Sequence, residues 1–183
     1  MIINTNTNHF MNPDLILKDV GVEEGMRVAD LGCGSGYFSI SAAKIVGEKG
    51  KVFSVDCMES ALDALRSKAS VDNVEEILSL ARGNLEVENG SGIASDSIDF
   101  AILKNVLSQS ESPEKIINEA SRVLKKGGKL LLVEWTQSKM PIGPDAVKKL
   151  SEEEISKFSS DAGLVKTQRF EADKYHYGVV FVK

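Results

Sequence analysis

Cysteine is scarce: the 183 residues hold only Cys33 and Cys57, which form neither a CxxC pair nor a Cys/His cluster. That excludes a zinc knuckle and a disulfide framework and fits a reducing compartment. Long apolar runs are missing too. No stretch of about 18 uncharged apolar residues is present, so no spanning helix is expected. The opening MIINTNTNHF has neither the basic flank nor the apolar core of a secretory signal. The expectation is a cytoplasmic protein without membrane insertion. Positive charge is not in excess: 22 Lys+Arg against 27 Asp+Glu give a net charge of −5, which argues against nucleic acid and anionic lipid as partners. Repeats are absent, and the one biased tract is the Asn/Thr-rich start. Residues 1–11 therefore read as a flexible N-terminal segment or partial lid. Residues 12–183, in a chain that is 42% hydrophobic, read as one domain around one core.

What is present is an alternation of strands and helices. Asn12-Pro13-Asp14 is a helix start, with a side-chain cap, a proline at the first position and an acid at the positive end of the dipole. A first strand is expected over Arg27–Leu31, a helix over Tyr37–Val46, a second strand over Val52–Val55 closed by Asp56, and a helix from Glu59 to Ala69. The run EEILSLARGN fits strand or helix, and the order of elements places a strand near Ile77–Leu80. Ile98–Leu103 is a strand. Ser112-Pro113-Glu114 caps a helix that Gly127-Gly128 stops, and Leu130–Trp135 is a strand buried on both faces apart from Glu134. Ser151 and Glu154 form a capping box for a helix through Ala162-Gly163, and Val165–Phe170 and Tyr175–Val182 pair as a final hairpin. The pattern predicts an α/β fold, a doubly wound Rossmann-like sheet of about seven strands with an antiparallel last strand. Ligands of such sheets sit beyond the carboxyl ends of the strands, so the loops opening at Asp30, Asp56, Gly83, Lys104 and Trp135 matter most.

The stretch VADLGCGSGYF carries Gly32, Gly34 and Gly36 between the first strand and its helix. Bare backbone there lets a ligand approach, and the helix behind offers free N–H groups to an anionic group. The dinucleotide fingerprint GxGxxG requires a third glycine where this chain has Tyr37. The spacing here is GxGxG, which weighs against a nicotinamide-dependent reductase.

With Asp30 two residues ahead, the stretch resembles motif I of the class I S-adenosylmethionine-dependent methyltransferases, and SRVLKKGGKLLLVEW resembles their segment of helix, glycine turn and fifth strand. The likeness covers residues 12 to 183 and is nearest the ubiquinone/menaquinone-biosynthesis and small-molecule branch. It implies S-adenosyl-L-methionine as cofactor, S-adenosyl-L-homocysteine as product, and methyl transfer to a small-molecule acceptor by in-line displacement. It also implies that Asp30, Gly32, Cys33, Gly34 and Gly36 cradle the cofactor and that Asp56, followed by Cys57, takes the ribose hydroxyls. Asn84 would accept from the adenine amino group where the family usually has an acid, Leu85 would offer its N–H to the ring, and Lys104 would lie under the methionine part. The (Asp/Asn)-Pro-Pro-aromatic motif of amino methylation is absent, the place reading Lys104-Asn105-Val106-Leu107. The several thiols of arsenite methyltransferases are absent as well.

Candidate bases are few. Glu134, an acid ending an apolar strand, is one, and it could instead pair with Lys104. His176 in the last strand and His9 near the start are weaker ones. The chain has little N-terminal cover and a short connection from Thr136 to Leu150, so a large lidded pocket would need the first ten residues or a second subunit, which leaves a homodimer open. A non-catalytic cofactor-binding subunit or sensor is the alternative outside enzymes.

Overall fold

The protein is described from a computed structural model, over residues 11–136 and 150–183. His9, the proposed N-terminal lid and most of the connection after Trp135 lie outside the described residues.

Seven strands form one sheet in the order β3-β2-β1-β4-β5-β7-β6. They are β1 (Arg27–Leu31), β2 (Lys51–Asp56), β3 (Leu78–Arg82), β4 (Ile98–Lys104), β5 (Leu124–Trp135), β6 (Val165–Glu171) and β7 (His176–Val182). Neighbours from β3 to β5 run parallel, and β7 runs antiparallel to both β5 and β6. The predicted Rossmann-like sheet with its antiparallel last strand is therefore the observed one.

Side-chain alternation along the strands divides the core into two layers. Val28, Phe100, Ile102, Leu131 and Val133 pack with α1 (Pro13–Asp19), α2 (Tyr37–Val46) and α3 (Glu59–Asp72). Ala29, Leu31, Ala101, Leu103, Leu130 and Leu132 pack with α4 (Pro113–Val123) and α5 (Glu152–Asp161) on the other face. With both faces covered, the inner strands need no polar side, which is why β4 and β5 read as near-continuous apolar runs.

Two of the three predicted helix caps hold. The Asn12 side chain accepts from Leu15 N–H at 3.2 Å, and Ser151 and Glu154 complete their reciprocal box. Two expectations are corrected. Ser112 stands at the cap of α4, yet its side chain makes no capping bond. The helix also ends at Val123 rather than at the glycines. Leu124 is already extended and pairs with Ile98, and Lys125–Gly128 bulge out before Lys129 pairs with Phe100. The bulge is held because Gly127, at φ +80°, donates its N–H to the Lys183 carbonyl at 2.8 Å. Polar residues at the start of β5 hide this strand extension from a hydrophobicity pattern.

Candidate functional site

At the carboxyl edge of the sheet, the loops after β1, β2, β3 and β4 enclose a cavity of about 480 Å³. Asp30, Gly32, Cys33, Gly34, Asp56, Cys57, Asn84, Leu85 and Lys104 all line it. The topology explains the gathering: β1 lies between β2 and β4, where the strand order reverses, and the loops on either side diverge there.

The three glycines divide the work. Gly32, at φ +78°, lies against Val106, whose Cγ2 would be 2.5 Å from an added Cβ. Gly36, the remaining predicted cofactor residue, does not line the cavity; at φ +84° it lets α3 approach, with Leu65 Cδ1 2.2 Å from where a Cβ would stand. Gly34, at φ +51°, has nothing within 4 Å of that position. It is the glycine that leaves space for a ligand. Tyr37 causes no obstruction, because its side chain is 52% exposed along the cavity wall and its hydroxyl donates to the Met11 carbonyl.

Asp56 is fixed before any ligand arrives. Its Oδ2 accepts from Gly34 N–H at 2.8 Å and its Oδ1 from Met58 N–H at 2.9 Å. Each oxygen keeps a second lone pair, which suits a vicinal diol. Asn84 lines the wall, but its Oδ1 already accepts from Glu86 N–H at 2.9 Å, so the residue closes its own turn. Glu86 joins the loops after β3 and β4: its Oε1 accepts from the Ser110 hydroxyl and from Glu111 N–H at 3.0 Å, and the Ser110 bond leads in lowering its carboxyl pKa.

Asp30 is buried, and burial raises its carboxyl to about 6 against the bond donated by Ser39 Oγ at 2.6 Å. Ser54 in turn donates to Ser39 at 2.8 Å. The Cys33 thiol is pushed up, chiefly by burial, and is no nucleophile at neutral pH; Cys57 is exposed. Burial lowers the Lys104 pKa, while the fields of Glu134, Asp173 and Asp30 act the other way.

The base candidates stand back from the described cavity wall. Glu134 forms no ion pair with Lys104. Its Oε1 accepts from Leu107 N–H at 2.9 Å and anchors the short 3-10 turn Leu107–Gln109, and burial raises its pKa to about 7. His176 is buried, with Nδ1 2.9 Å from Asp173 Oδ1 and its ring centroid 4.1 Å from that of Trp135. Sequence reasoning did not single out Asp173, and it placed Asn105 only in the wall after β4; the contact of Asn105 with His176 spans 71 residues, which no local motif encodes. No group of three or more His, Cys, Asp or Glu among the described residues could hold a metal ion.

A glycine-lined, diol-ready cleft at the switch point of a 3-2-1-4-5-7-6 sheet defines a Rossmann-like protein of the kind that binds nucleoside cofactors. The chain belongs to the methyltransferase-domain family, whose profile matches residues 22–176. It is 31% identical over 128 residues to the demethylmenaquinone methyltransferase of Staphylococcus aureus strain MRSA252, an alignment covering 69% of this chain and 50% of that protein. The chain thus spans about half the length of the curated relatives it matches. Among solved structures, an S-adenosylmethionine-dependent methyltransferase from Aquifex aeolicus superposes with a TM-score of 0.84 at 27% identity, covering 93% of this chain and 89% of the other. An arsenic(III) S-adenosylmethionine methyltransferase from Chlamydomonas reinhardtii shares the fold, with a TM-score of 0.71 at 24% identity over 86% of this chain and 63% of its own.

Proposed function

We propose that the protein is an S-adenosyl-L-methionine-dependent methyltransferase that acts on a small organic acceptor. The observation that carries this reading is the pairing of Gly34 with Asp56. The glycine opens the wall where a side chain would fill it, and its N–H aims the carboxylate at the same space. The cavity volume of about 480 Å³ is in the range of small-molecule sites, roughly 300–1,000 Å³.

Asp56 would hold the ribose diol, Leu85 would flank the adenine, and Asp30 with Lys104 would face the amino-acid end. The cofactor, when bound, supplies an activated methyl group on sulfur. The protein's task is then to align a nucleophile with that group and exclude water. Phe38, Met58, Val106 and Ile116 contribute apolar surface to the wall, which suits a carbon-rich ligand. The likeness to demethylmenaquinone methyltransferases favours a quinone as the acceptor class. The buried carboxyl of Glu134 serves the 3-10 turn, so an acceptor that is already acidic, or one that reacts at an electron-rich carbon, fits better than one needing a strong base.

Calorimetry with S-adenosylmethionine, S-adenosylhomocysteine and NADH tests the cofactor, with binding of the first two and none of NADH expected. Release of labelled methyl to a metabolite extract tests turnover. Tight NADH binding without the others would overturn the reading.

A further inference from the structure

Lys104 closes β4 and lines the cavity, half-buried, with a charge that nothing neutralises at close range. Among the described residues its ammonium makes no hydrogen bond and no ion pair. Burial lowers its pKa, and Glu134, Asp173 and Asp30 oppose that only through their fields. Charges withdrawn from water are normally paired, because an apolar surrounding does not replace the lost hydration. A lysine held this way in a ligand cavity points to an anion that arrives with the ligand.

None of the three acids is free to turn toward it. Glu134 Oε1 accepts from Leu107 N–H at 2.9 Å, and Asp30 Oδ2 accepts from Ser39 Oγ at 2.6 Å. Asp173 Oδ1 lies 2.9 Å from His176 Nδ1 and accepts from the Tyr175 and His176 N–H groups at 2.7 and 2.8 Å. Glu134, raised to about 7 chiefly by burial, is also only partly ionised near neutral pH. The sealed, partnerless polar atoms among the described residues belong to Asn105, Ser108, Ser159 and Tyr177. The Lys104 ammonium is not one of them, so it keeps an open side.

Position separates the missing anion from the cofactor's own groups. Gly34, Asp56 and Asn84 follow β1, β2 and β3, so the cofactor takes that half of the cleft. β4 stands on the other side of β1, where Lys104 pairs with Val133 of β5. Tyr37 lies along the same cavity wall, and the field of Asp173 reaches it as it reaches Lys104. Lys104 thus stands between the half that takes the cofactor and the half left to the acceptor.

We propose that Lys104 is a specificity-determining residue whose ammonium holds an anionic oxygen of the acceptor, which makes the substrate class a quinone-type ring with an ionised hydroxyl. This rests on the cofactor reading given above, and it gives the Lys104 charge to the acceptor rather than to the cofactor. In the transfer, the anionic oxygen or a ring carbon conjugated with it forms a bond to the methyl carbon. The carbon–sulfur bond breaks, its electron pair stays on sulfur, and the two opposite charges cancel. A ring carbon that has reacted then passes its proton to the oxygen by way of water. No protein base is needed, in keeping with the engagement of Glu134 in its turn.

Calorimetry on the protein loaded with S-adenosylhomocysteine compares 2-hydroxy-1,4-naphthoquinone, an anion at neutral pH, with its neutral methyl ether. The wild type should prefer the anion by about tenfold, the size of one charge-assisted bond. Lys104→Met should erase the preference by weakening the anion alone, Lys104→Arg should keep most of it, and all three proteins should bind S-adenosylhomocysteine alike. Equal affinity for the two probes in the wild type, binding of neither, or a preference that survives in Lys104→Met would overturn the proposal. A loss of S-adenosylhomocysteine affinity in that variant would do so too, by giving the ammonium to the cofactor's carboxylate. A wild type that does not bind S-adenosylhomocysteine would instead remove the cofactor reading beneath it. Carbon-13 titration of Lys104 in the wild type is independent of any variant's folding. Its pKa should stay depressed with S-adenosylhomocysteine bound and rise when the hydroxynaphthoquinone joins it, and a rise with the first ligand alone refutes the assignment.

Discussion

Gly34 N–H donates to Asp56 Oδ2 at 2.8 Å, joining two loops 22 residues apart at the mouth of the cleft. The carboxylate therefore does two jobs, shaping the glycine turn and facing the ligand space. Asp56→Ala should weaken S-adenosylmethionine binding by about 1–3 kcal/mol, as expected for lost hydrogen bonds to a charged group. Titration calorimetry reads the loss, and unimpaired binding would remove Asp56 from the ribose role.

The glycines predict different phenotypes, because only Gly34 borders open cleft. In Gly34→Val the side chain occupies open cleft, so binding should vanish, and the β-branched residue at φ +51° should also cost about 1–2 kcal/mol of stability. Gly36→Ala places a methyl 2.2 Å from Leu65 Cδ1 and should mainly lower thermal stability, by roughly 1–3 kcal/mol. Paired melting and binding curves separate the two effects.

Glu134 gives a pH dependence of stability. Its folded pKa is raised to about 7 from 4.5, so between those values the native state binds more protons than the unfolded one. Stability conferred by the protonated form is full below pH 4.5 and is lost as pH rises through 7. The fall should be of order 1–3 kcal/mol, with Asp30, raised to about 6, adding to it in the same direction. Glu134→Gln, which can still accept from Leu107 N–H, should flatten the profile in urea melts taken at successive pH values. A slope unchanged by the substitution would assign the effect elsewhere.

Glu119 is buried at 4% exposure and is held by Arg122 Nε and Nη2, both at 2.8 Å, and by Ser91 N–H at 3.0 Å. Arg122→Met would leave that carboxylate without its cation and should cost about 2 kcal/mol. Glu119→Gln in the same background should restore part of the loss, measurable as a non-additive double-mutant cycle.

Much of this architecture was legible in the sequence because each element carried its own signal. The Asn12 cap, the Ser151–Glu154 box and the apolar runs of β4 and β5 depend on neighbours within a few residues. Motif I was legible for the same reason, and nine of the ten predicted cofactor residues line the cleft. Gly36 was misplaced because a sequence does not say which neighbour a missing side chain accommodates; here it is Leu65. The bulge in β5 and the bonds of Glu134 and Asn105 were hidden because each is fixed by a partner on another element: Lys183, Leu107 and His176.

The placement of β7 between β5 and β6 has a dynamic consequence. Among the described strands β6 pairs only with β7, so the two form a cooperative unit whose local opening need not disturb β1 to β4. Such an opening would free Asn105 from His176 while the glycine turn and Asp56 stay in register. Hydrogen-exchange rates across 165–182 should therefore rise together, as one foldon, and slow when a ligand bridges that hairpin's grip on the cleft.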